Sequence, residues 1–323
     1  HYLLEPFKSM SLLDLTEQAS EQLRKQGFEV NTKQTGPETG KMVASRSSAQ
    51  VRLSKPKLLW VGDAGVTSGY GRVTESICTR LVYKGWDVSV LGVSYNGDPP
   101  NFPYSIYPAV DANVGGQRNG VNRIKEVINK VQPDVVVIHD DSWNVGIVVD
   151  NMAMLNIWAP TVGYIAIDSE NVRGDVAIQL RNLKHAICHT QFGVNQLELA
   201  GYSGASFAGH GVDCSIYAPY DKKQAREGIA TRQHPDTSDC FIWGCVGVNQ
   251  PRKRLDLTIA YFAAWWKQMG KPEDAYLYLH TNWDGVYDLR QISEYCGVRG
   301  RVLGTSSGAL ADDQMPSLYS AFD

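Results

Sequence analysis

The sequence predicts an α/β protein made of two Rossmann-like domains, each built on a doubly wound parallel sheet. From residue 57 onward, short apolar runs rich in valine and isoleucine alternate with helical stretches, which is typical of parallel strands joined by crossover helices. The pattern restarts at about residue 240, after a stretch that contains Pro219 and Pro235. The length of 323 residues fits two domains at roughly 100–200 residues per domain.

The composition is that of a globular protein and excludes a chain that is disordered throughout, since 43% of the residues are hydrophobic and 20% are charged. The formal net charge of −3 gives no indication of nucleic-acid binding. The longest strongly apolar stretch, Ile259 to Trp266, is far shorter than the roughly 20 residues of a membrane-spanning helix, so we expect no transmembrane segment. The 6 cysteines form no C-x-x-C pair, which favours reduced thiols and a cytoplasmic location.

Three segments follow from these patterns. Residues 1–55 are expected to form an N-terminal helix and a polar linker, with the helix beginning at Ser11 and ending at Gly27. Residues 56–215 are expected to form the first Rossmann-like domain, and residues 216–323 the second. The second domain stops in the middle of a strand–helix unit, so we expect it to be truncated.

The elements of both domains are predicted from hydrophobic periodicity and from turn residues. In the first domain they are the strand Lys57–Val61, a helix from Gly71 to Tyr83, the strand Trp86–Val93, the helix Arg118–Lys130, the strands Asp134–His139 and Thr161–Ile167, the helix Arg173–Leu183 and the strand His185–His189. In the second domain they are the strand Phe241–Val246, the helix Leu255–Met269, the strand Ala275–His280, the helix Val286–Tyr295, the strand Arg301–Leu303 and a helix over Gln314–Phe322.

A glycine-rich loop follows the first strand and contains Gly69, Tyr70 and Gly71. Glycine lets a ligand approach the backbone, and the following helix offers free N–H groups and a positive dipole end to an anion such as a diphosphate. The dinucleotide fingerprint G-x-G-x-x-G is not met, because Thr74 stands at its third glycine. The alternative is a tight turn that only joins strand to helix.

A basic run, Arg252-Lys253-Arg254, stands directly before the helix predicted from Leu255. Cations at a helix N-terminus face the positive end of the macrodipole, at a cost of about 0.3–1 kcal/mol each. An anion bound there would reverse that cost, which makes Arg252 and Lys253 candidate phosphate ligands. The alternative is a solvated charge run.

Polar residues follow two predicted strands at their carboxyl ends. His139 ends one strand, and Asp168 follows another. Ligands of open α/β sheets bind beyond the carboxyl ends of the strands, so both are candidates for substrate contact. The alternative for His139 is a purely structural hydrogen-bonding role.

These pieces occur in an order that resembles the group 1 glycosyltransferases, a family of retaining, GT-B-fold enzymes that use nucleotide-sugar donors. The resemblance covers roughly residues 57–323, and its motifs are weak one by one but specific as an ordered set. The similar segments are Ser68–Arg72, Pro133–Asp140, Phe192-Gly193 with Gly209–Asp213, Gly247–Lys253 and Leu318–Asp323.

The resemblance implies a GT-B architecture, two domains facing across a cleft, and transfer of a sugar from a donor such as a UDP- or GDP-sugar to an unknown acceptor. It implies catalytic roles for His139, Arg252 and Lys253 and donor or phosphate binding by Gly69, Tyr70, Gly71, Asn249 and His210, with Asp168 as a further substrate residue. No cofactor besides the nucleotide sugar is expected. No metal is expected either, because the sequence contains no D-x-D motif.

The sequence departs from the family pattern at two points. Val248 stands where the family usually has an arginine, so Arg252 is the candidate to supply that charge. The acidic E-x7-E motif expected after Asp323 is absent. Both departures favour the alternative of a non-catalytic, glycosyltransferase-like binding or scaffold module. A nucleotide-cofactor oxidoreductase is a third alternative, disfavoured by the failed fingerprint. Acceptor, sugar, base and oligomeric state stay open.

Overall fold

The computed structural model describes residues 55–66, 68–95, 97, 101–110, 119–229, 237–305 and 310–323. The chain divides into two compact units between Gly209 and His210, whereas the sequence pattern placed a domain boundary after residue 215. The helix predicted from Ser11 to Gly27 lies outside the described residues.

The first unit is a seven-stranded sheet in which every pair of neighbouring strands is parallel. Its elements are β1 (Lys57–Asp63), α1 (Gly69–Tyr83), β2 (Asp87–Val93), β3 (Ser105–Pro108), α2 (Ile124–Val131), β4 (Val135–Asp141), α3 (Ser142–Met154), β5 (Thr161–Ala166), α4 (Gly174–Leu180), β6 (His185–Cys188), α5 (Gln191–Leu199) and β7 (Ser206–Phe207). The strand order is β3-β2-β1-β4-β5-β6-β7. This is the doubly wound order, and it reverses direction at β1.

Helices cover both faces of this sheet, and β1 shows why. Its side chains alternate between the faces, as the two-residue period of a strand requires. Leu59 and Val61 pack into a core cluster that includes Ile124 of α2. Leu58 and Trp60 pack into a second cluster on the other face. A strand that is buried on both faces reads as a continuous apolar run, which is what the sequence shows.

The second unit contains a three-stranded parallel sheet in the order β10-β9-β8. Its elements are α6 (Lys222–Glu227), β8 (Phe241–Val246), a 3₁₀ turn (Pro251–Lys253), α7 (Leu255–Gln268), β9 (Ala275–His280), α8 (Leu289–Tyr295), a second 3₁₀ turn (Arg299–Arg301), β10 (Val302–Thr305) and α9 (Met315–Ser320). Two core clusters flank the sheet, one around Phe262 and Ile259 of α7 and one around Tyr278 and Leu318.

Asp323 is joined to α6 by ion pairs and to β8 by a hydrogen bond. The guanidinium of buried Arg226 lies 2.5 Å from a carboxylate oxygen of Asp323, and Lys222 lies 2.6 Å from the other oxygen. The Ile242 amide donates to the same carboxylate. Burial alone would raise the pKa of Asp323, but these hydrogen bonds and the charge of Arg226 outweigh it and hold the pKa below its usual value.

The predicted elements are largely present, with boundaries that the caps explain. The helix predicted from Arg118 begins only at Ile124, because the preceding residues form a turn around Gly120, which has a φ of +75°. The helix predicted from Val286 begins at Leu289, because Asp288 caps it by accepting from the Gln291 amide. Helices α3, α5 and α6 and strands β3 and β7 were not predicted. Within the described residues, no helix is both long and apolar enough to cross a membrane.

Candidate functional site

The order of the first sheet places two strand ends side by side where the winding direction reverses. Asp63 ends β1, and His139, Asp140 and Asp141 end β4. The two strands are paired in register from Leu58 with Val135 to Val61 with Ile138. This edge is where a doubly wound sheet binds its ligand.

Ser68 fixes the start of α1 beside this edge. Its hydroxyl accepts a hydrogen bond from the Gly71 amide at 2.9 Å, which caps the helix, and donates to Asp63 Oδ2 at 2.7 Å. The Asp63 carboxylate is thereby coupled to the N-terminus of α1. The turn that the sequence showed as a glycine-rich loop is therefore held by side-chain bonds as well as by glycine.

The two glycines of this loop have different structural roles. A Cβ on Gly71 would lie 2.3 Å from the Val66 carbonyl oxygen, so the turn itself requires glycine there. A Cβ on Gly69 would meet nothing within 4 Å, and this residue is exposed. Gly69 is thus the position of the pair at which a ligand could approach the backbone.

Tyr70, at the start of α1, donates a hydrogen bond to Asp141 Oδ1 at 2.6 Å. Burial, this bond and the charges of Asp141, Asp140 and Asp168 all raise the pKa of the Tyr70 hydroxyl far above its usual value. Tyr70 therefore keeps its proton throughout the usual pH range. Asp168 is exposed and stands two residues after the end of β5, the strand paired with β4, and so lies at the same edge.

His139 is 0% exposed and lies within a cluster of rings. Its ring centroid is 4.8 Å from Tyr70, 5.1 Å from Tyr164, 5.3 Å from His189 and 5.4 Å from Trp60. The Trp60 indole donates to Thr74 of α1, which ties β1 to that helix. The His139 side chain is therefore buried and packs against the ring of Tyr70. Its predicted contact with a sugar stays a prediction.

The carboxyl group of Asp140, near the end of β4, has a pKa above its usual value. Burial raises the pKa of its carboxyl group, and the neighbouring Asp141 and Asp63 charges add to this, against hydrogen bonds from the Asp141 amide and Asn144. The edge of the first sheet is therefore acidic and rich in hydrogen-bonding groups. Such an edge suits a neutral ligand with hydroxyl groups better than an anion.

Three ring residues of this cluster were missed from the sequence: Trp60, Tyr164 and His189. His189 directly follows β6, so the rule that singled out His139 at the end of β4 would have found it as well. Tyr164 lies inside β5 and donates to the Ala208 carbonyl at 3.1 Å. No sequence signal marks it, because a tyrosine within a strand is ordinarily a core residue.

In the second unit, the corresponding strand end leads into the basic turn. Arg252 and Lys253 lie in the 3₁₀ turn before α7, and both are exposed. Arg254 differs, because its guanidinium pairs with Asp256 in the first turn of α7 at 2.8 Å. Among the described residues, Arg252 and Lys253 form no ion pair. Lys253 runs past the open loop after β8, with its Cδ 4.0 Å from a Cβ built on Gly247.

The two remaining candidates of the second unit occupy different settings. Asn249 is buried, and both groups of its side-chain amide are bonded to the backbone of Tyr287. His210 is exposed at the start of this unit, and partial burial of its ring lowers its pKa. The structure therefore groups the candidates by unit. Gly69, Tyr70, Gly71, His139 and Asp168 belong to the first unit, and His210, Asn249, Arg252 and Lys253 to the second.

No family model and no curated protein matches the sequence. Solved structures do match its fold. The N-terminal domain of trehalose-6-phosphate phosphatase from Candida albicans is 10% identical, with a TM-score of 0.57 over 86% of this chain and 77% of that one. The catalytic domain of starch synthase IV from Arabidopsis thaliana, bound to ADP and acarbose, is 12% identical, with a TM-score of 0.55 over 83% and 77%.

An α,α-trehalose-phosphate synthase (UDP-forming) from Burkholderia vietnamiensis is also similar, at 10% identity and a TM-score of 0.54 over 83% of this chain and 76% of that one. At such identities the likeness establishes the fold alone. The chain has the GT-B fold of glycosyltransferases, as the sequence predicted.

Proposed function

We propose that the chain is a retaining glycosyltransferase of the group 1 type, which transfers a sugar from a nucleoside-diphosphate sugar, such as a UDP- or GDP-sugar, to an acceptor. The fold supports this, because the starch synthase IV neighbour holds ADP and acarbose and the trehalose-phosphate synthase neighbour is UDP-forming. Within this chain, donor binding is assigned to the second unit and sugar contact to the strand ends of the first.

The observation that carries the proposal is the state of the basic turn. Of its three cations, Arg254 is neutralised by Asp256, whereas Arg252 and Lys253 are exposed and not engaged in an ion pair with any described residue. Two uncompensated cations at the beginning of a helix lower its stability unless an anion offsets them. A diphosphate at the loop after β8 would supply that anion, and Arg252 would replace the charge absent at Val248.

The proposed reaction needs positive charge more than it needs a side-chain nucleophile. The bond between the sugar carbon and the phosphate oxygen breaks, a bond to the acceptor oxygen forms, and the acceptor proton passes to the leaving diphosphate. Arg252 and Lys253 stabilise the negative charge that develops on the leaving group. Loss of one such group typically lowers the rate by about 10²–10³-fold.

The first unit is assigned the sugar end of the reaction. The Tyr70 hydroxyl keeps its proton and donates it to Asp141, so the Tyr70 oxygen and the Asp141 carboxylate are fixed acceptors for sugar hydroxyls. Gly69 leaves room beside them. His139 is proposed to hold Tyr70 in place through their ring contact and to face the sugar, with Asp168 as a further hydroxyl acceptor.

The test replaces both cations, Arg252→Ala with Lys253→Ala, and measures binding of UDP, GDP and ADP by calorimetry and hydrolysis of the corresponding glucose donors. We expect nucleotide affinity to fall at least 10-fold and hydrolysis to become undetectable, with a thermal transition of the unliganded variant no lower than that of the wild type. The matched control removes two exposed lysines of the same unit, Lys223→Ala with Lys267→Ala, and should leave both readouts unchanged. Equal binding by the two double variants would refute the assignment.

A second candidate function is a binding or scaffold module without catalysis. Val248 favours it, because this exposed apolar side chain stands where the related enzymes usually carry an arginine. Under this alternative the wild-type chain binds a nucleoside diphosphate but neither hydrolyses nor transfers from any nucleotide sugar. Hydrolysis by the wild-type chain that the double variant lacks would exclude it.

A further inference from the structure

Asn249 lies in the loop after β8, two residues before the turn that carries Arg252 and Lys253, and it is only 3% exposed. Its Nδ2 donates to the Tyr287 carbonyl at 2.8 Å, and its Oδ1 accepts from the Tyr287 amide at 3.2 Å. One side chain therefore pairs with both backbone groups of a residue in the next loop of the unit. Leaving either group unpaired in a buried setting is costly, which makes this pairing specific.

The opposite loop is shaped to fit this side chain. A Cβ on Gly285 would lie 2.6 Å from Asn249 Cβ and 2.8 Å from its Nδ2, so any larger residue at Gly285 would displace Asn249. The Val286 amide also points to the Asn249 carbonyl, at 3.4 Å. We name the set of Asn249, Gly285 and Tyr287 the Asn249 clamp.

The loop that the clamp holds is itself well fixed in the second unit. Trp283 is buried in the core cluster of α7 and α8. Asp288 caps α8, and Asp284 pairs with Arg290 of that helix at 2.6 Å. The clamp thus ties the segment that leads into the basic turn to a part of the unit that is anchored in its core.

The basic turn, Pro251–Lys253, follows Asn249 and Gln250 directly in the chain. The Lys253 amide donates to the Gln250 carbonyl at 3.0 Å, and Pro251 restricts the backbone between them. The position of residue 249 therefore sets the position of the two cations. A displacement of about 1 Å in a supporting residue can cost about 10²-fold in an enzyme reaction, so such a connection has functional weight.

We propose that Asn249 is a positioning residue: the Asn249 clamp fixes the Arg252–Lys253 turn in the geometry that binds a nucleoside diphosphate. The inference rests on the proposed function. It replaces the prediction that Asn249 binds the phosphate directly, because both groups of the Asn249 amide are hydrogen-bonded to Tyr287. The clamp acts through the cations and not on the ligand.

The first experiment compares Asn249→Ala with Asn282→Ala by calorimetry against UDP, GDP and ADP. Asn282 is an exposed amide of the same loop. Its side chain accepts from the Asp284 amide, whereas the Tyr287 backbone is paired with Asn249, so the loss of the Asn282 side chain leaves the clamp intact. We expect Asn249→Ala to weaken nucleotide binding at least 10-fold and Asn282→Ala to change it less than 2-fold. Hydrogen exchange should rise in residues 282–288 of the Asn249 variant alone.

The second experiment uses Asn249→Asp, which separates positioning from general loss of stability. A protonated aspartate has the shape of asparagine and can donate to the Tyr287 carbonyl while accepting from its amide, whereas the ionised form cannot donate. Nucleotide affinity of this variant, divided by that of the wild type at the same pH, should therefore recover as the pH is lowered from 8 to 5. A defect that acts only on stability lowers the thermal transition of the variant as the pH rises but leaves the nucleotide affinity of the folded variant, relative to the wild type, independent of pH.

A third variant attacks the clamp from the other side. Gly285→Ala should weaken nucleotide binding as Asn249→Ala does, and the double variant should be no weaker than the worse single one, because both changes break one connection. Gly300→Ala is the control, since a Cβ there meets nothing within 4 Å.

The outcomes separate the two proposals. If the wild-type chain binds none of the three nucleotides, the proposed function fails and this inference fails with it. If the wild type binds and Asn249→Ala binds equally well, or if Asn249→Asp shows no pH-dependent recovery, the inference fails while the proposed function stands.

Discussion

The Asp140 carboxylate lies in a place that disfavours its charge. Burial raises its pKa, and Asp141 and Asp63 add like charge nearby. An acid whose pKa is higher in the folded state than in the unfolded state binds more protons when folded, so the free energy of unfolding falls as the pH rises through that interval. Proteins often retain a group that lowers their stability at a position where function requires that group.

We therefore expect Asp140→Asn to stabilise the protein, and to do so more at pH 8 than at pH 4. The amide keeps an oxygen that can accept from the Asp141 amide, now 2.7 Å from Asp140 Oδ1, and it carries no charge to be buried. Below the ordinary pKa of aspartate the gain should vanish. Urea denaturation at the two pH values measures it.

Asp168→Asn, at an exposed position of the same edge, is the control for this measurement and should change the free energy of unfolding by less than about 0.5 kcal/mol. A gain for Asp140→Asn that is equal at pH 4 and pH 8 would contradict the argument, because a purely steric effect would not follow the ionisation of the carboxyl group.

Individual site residues could be predicted where a local pattern marks them. His139 was predicted because it ends an apolar strand, and Tyr70 because it lies in a glycine-rich loop. Tyr70 and Asp141 were visible as residue types, but the hydrogen bond between them joins residues 71 positions apart and depends on how α1 sits over β4. The hydrogen bonds between Asn249 and Tyr287 could not be predicted either. An asparagine in a polar loop is a candidate ligand-binding residue until its hydrogen-bond partner is known.

The loop before helix α1 contains one glycine that the fold requires and one glycine that leaves space for a ligand. Ser68 caps the helix, Gly71 fits under the Val66 carbonyl, and Gly69 faces open space. The sequence alone could not distinguish the two glycines, since both occur in the same S-G-Y-G stretch.

Gly71→Ala should therefore destabilise the protein by about 1–3 kcal/mol, the usual cost of overpacking, because its Cβ would collide with a backbone oxygen. Gly69→Ala should leave the free energy of unfolding within about 0.5 kcal/mol of the wild type or raise it, since alanine favours a helix. Urea denaturation of the two variants decides, and equal destabilisation would show that Gly69 is also required by the turn.

Helix α3, which was not predicted, has a weak local signal for a physical reason. Helix α3 contains Val145, Val148 and Val149 together with Gly146, a composition that favours a strand as much as a helix. Gly146 is explained only by packing, because a Cβ there would lie 2.6 Å from the Gln179 side-chain oxygen in α4. A helix that is stabilised by such a close approach shows no strong local signal.

Across the whole molecule, each unit has a core of its own. The clusters of the first unit, with the partly buried residues packed against them, extend to Ala205, and those of the second unit begin at Tyr217. The alternation of strands and helices was enough to predict two units with parallel sheets. It could not give the order β10-β9-β8 or the short strands β3 and β7, since these depend on pairing between distant residues.

We expect Phe262→Ala to destabilise the second unit by about 3–5 kcal/mol, because this ring is fully buried against Trp243 and Trp265. Hydrogen exchange followed by mass spectrometry should show faster exchange in β8, β9 and β10 and unchanged exchange in β1 and β4. Ile138→Ala, in the core of the first unit, should give the reverse pattern. Uniform acceleration by either variant would contradict separate cores.

The central place of β1 has a consequence for synthesis of the chain. Leu58 pairs with Val135, which is made 77 residues later, so β1 lacks one neighbour while the intervening stretch emerges from the ribosome. At about 5–20 residues per second, this delay amounts to roughly 4–15 s. During that time the edge of β1 that later pairs with β4 has no hydrogen-bonding partner, although β1 becomes a central strand of the sheet. A chaperone that recognises apolar extended segments could bind β1 in this interval.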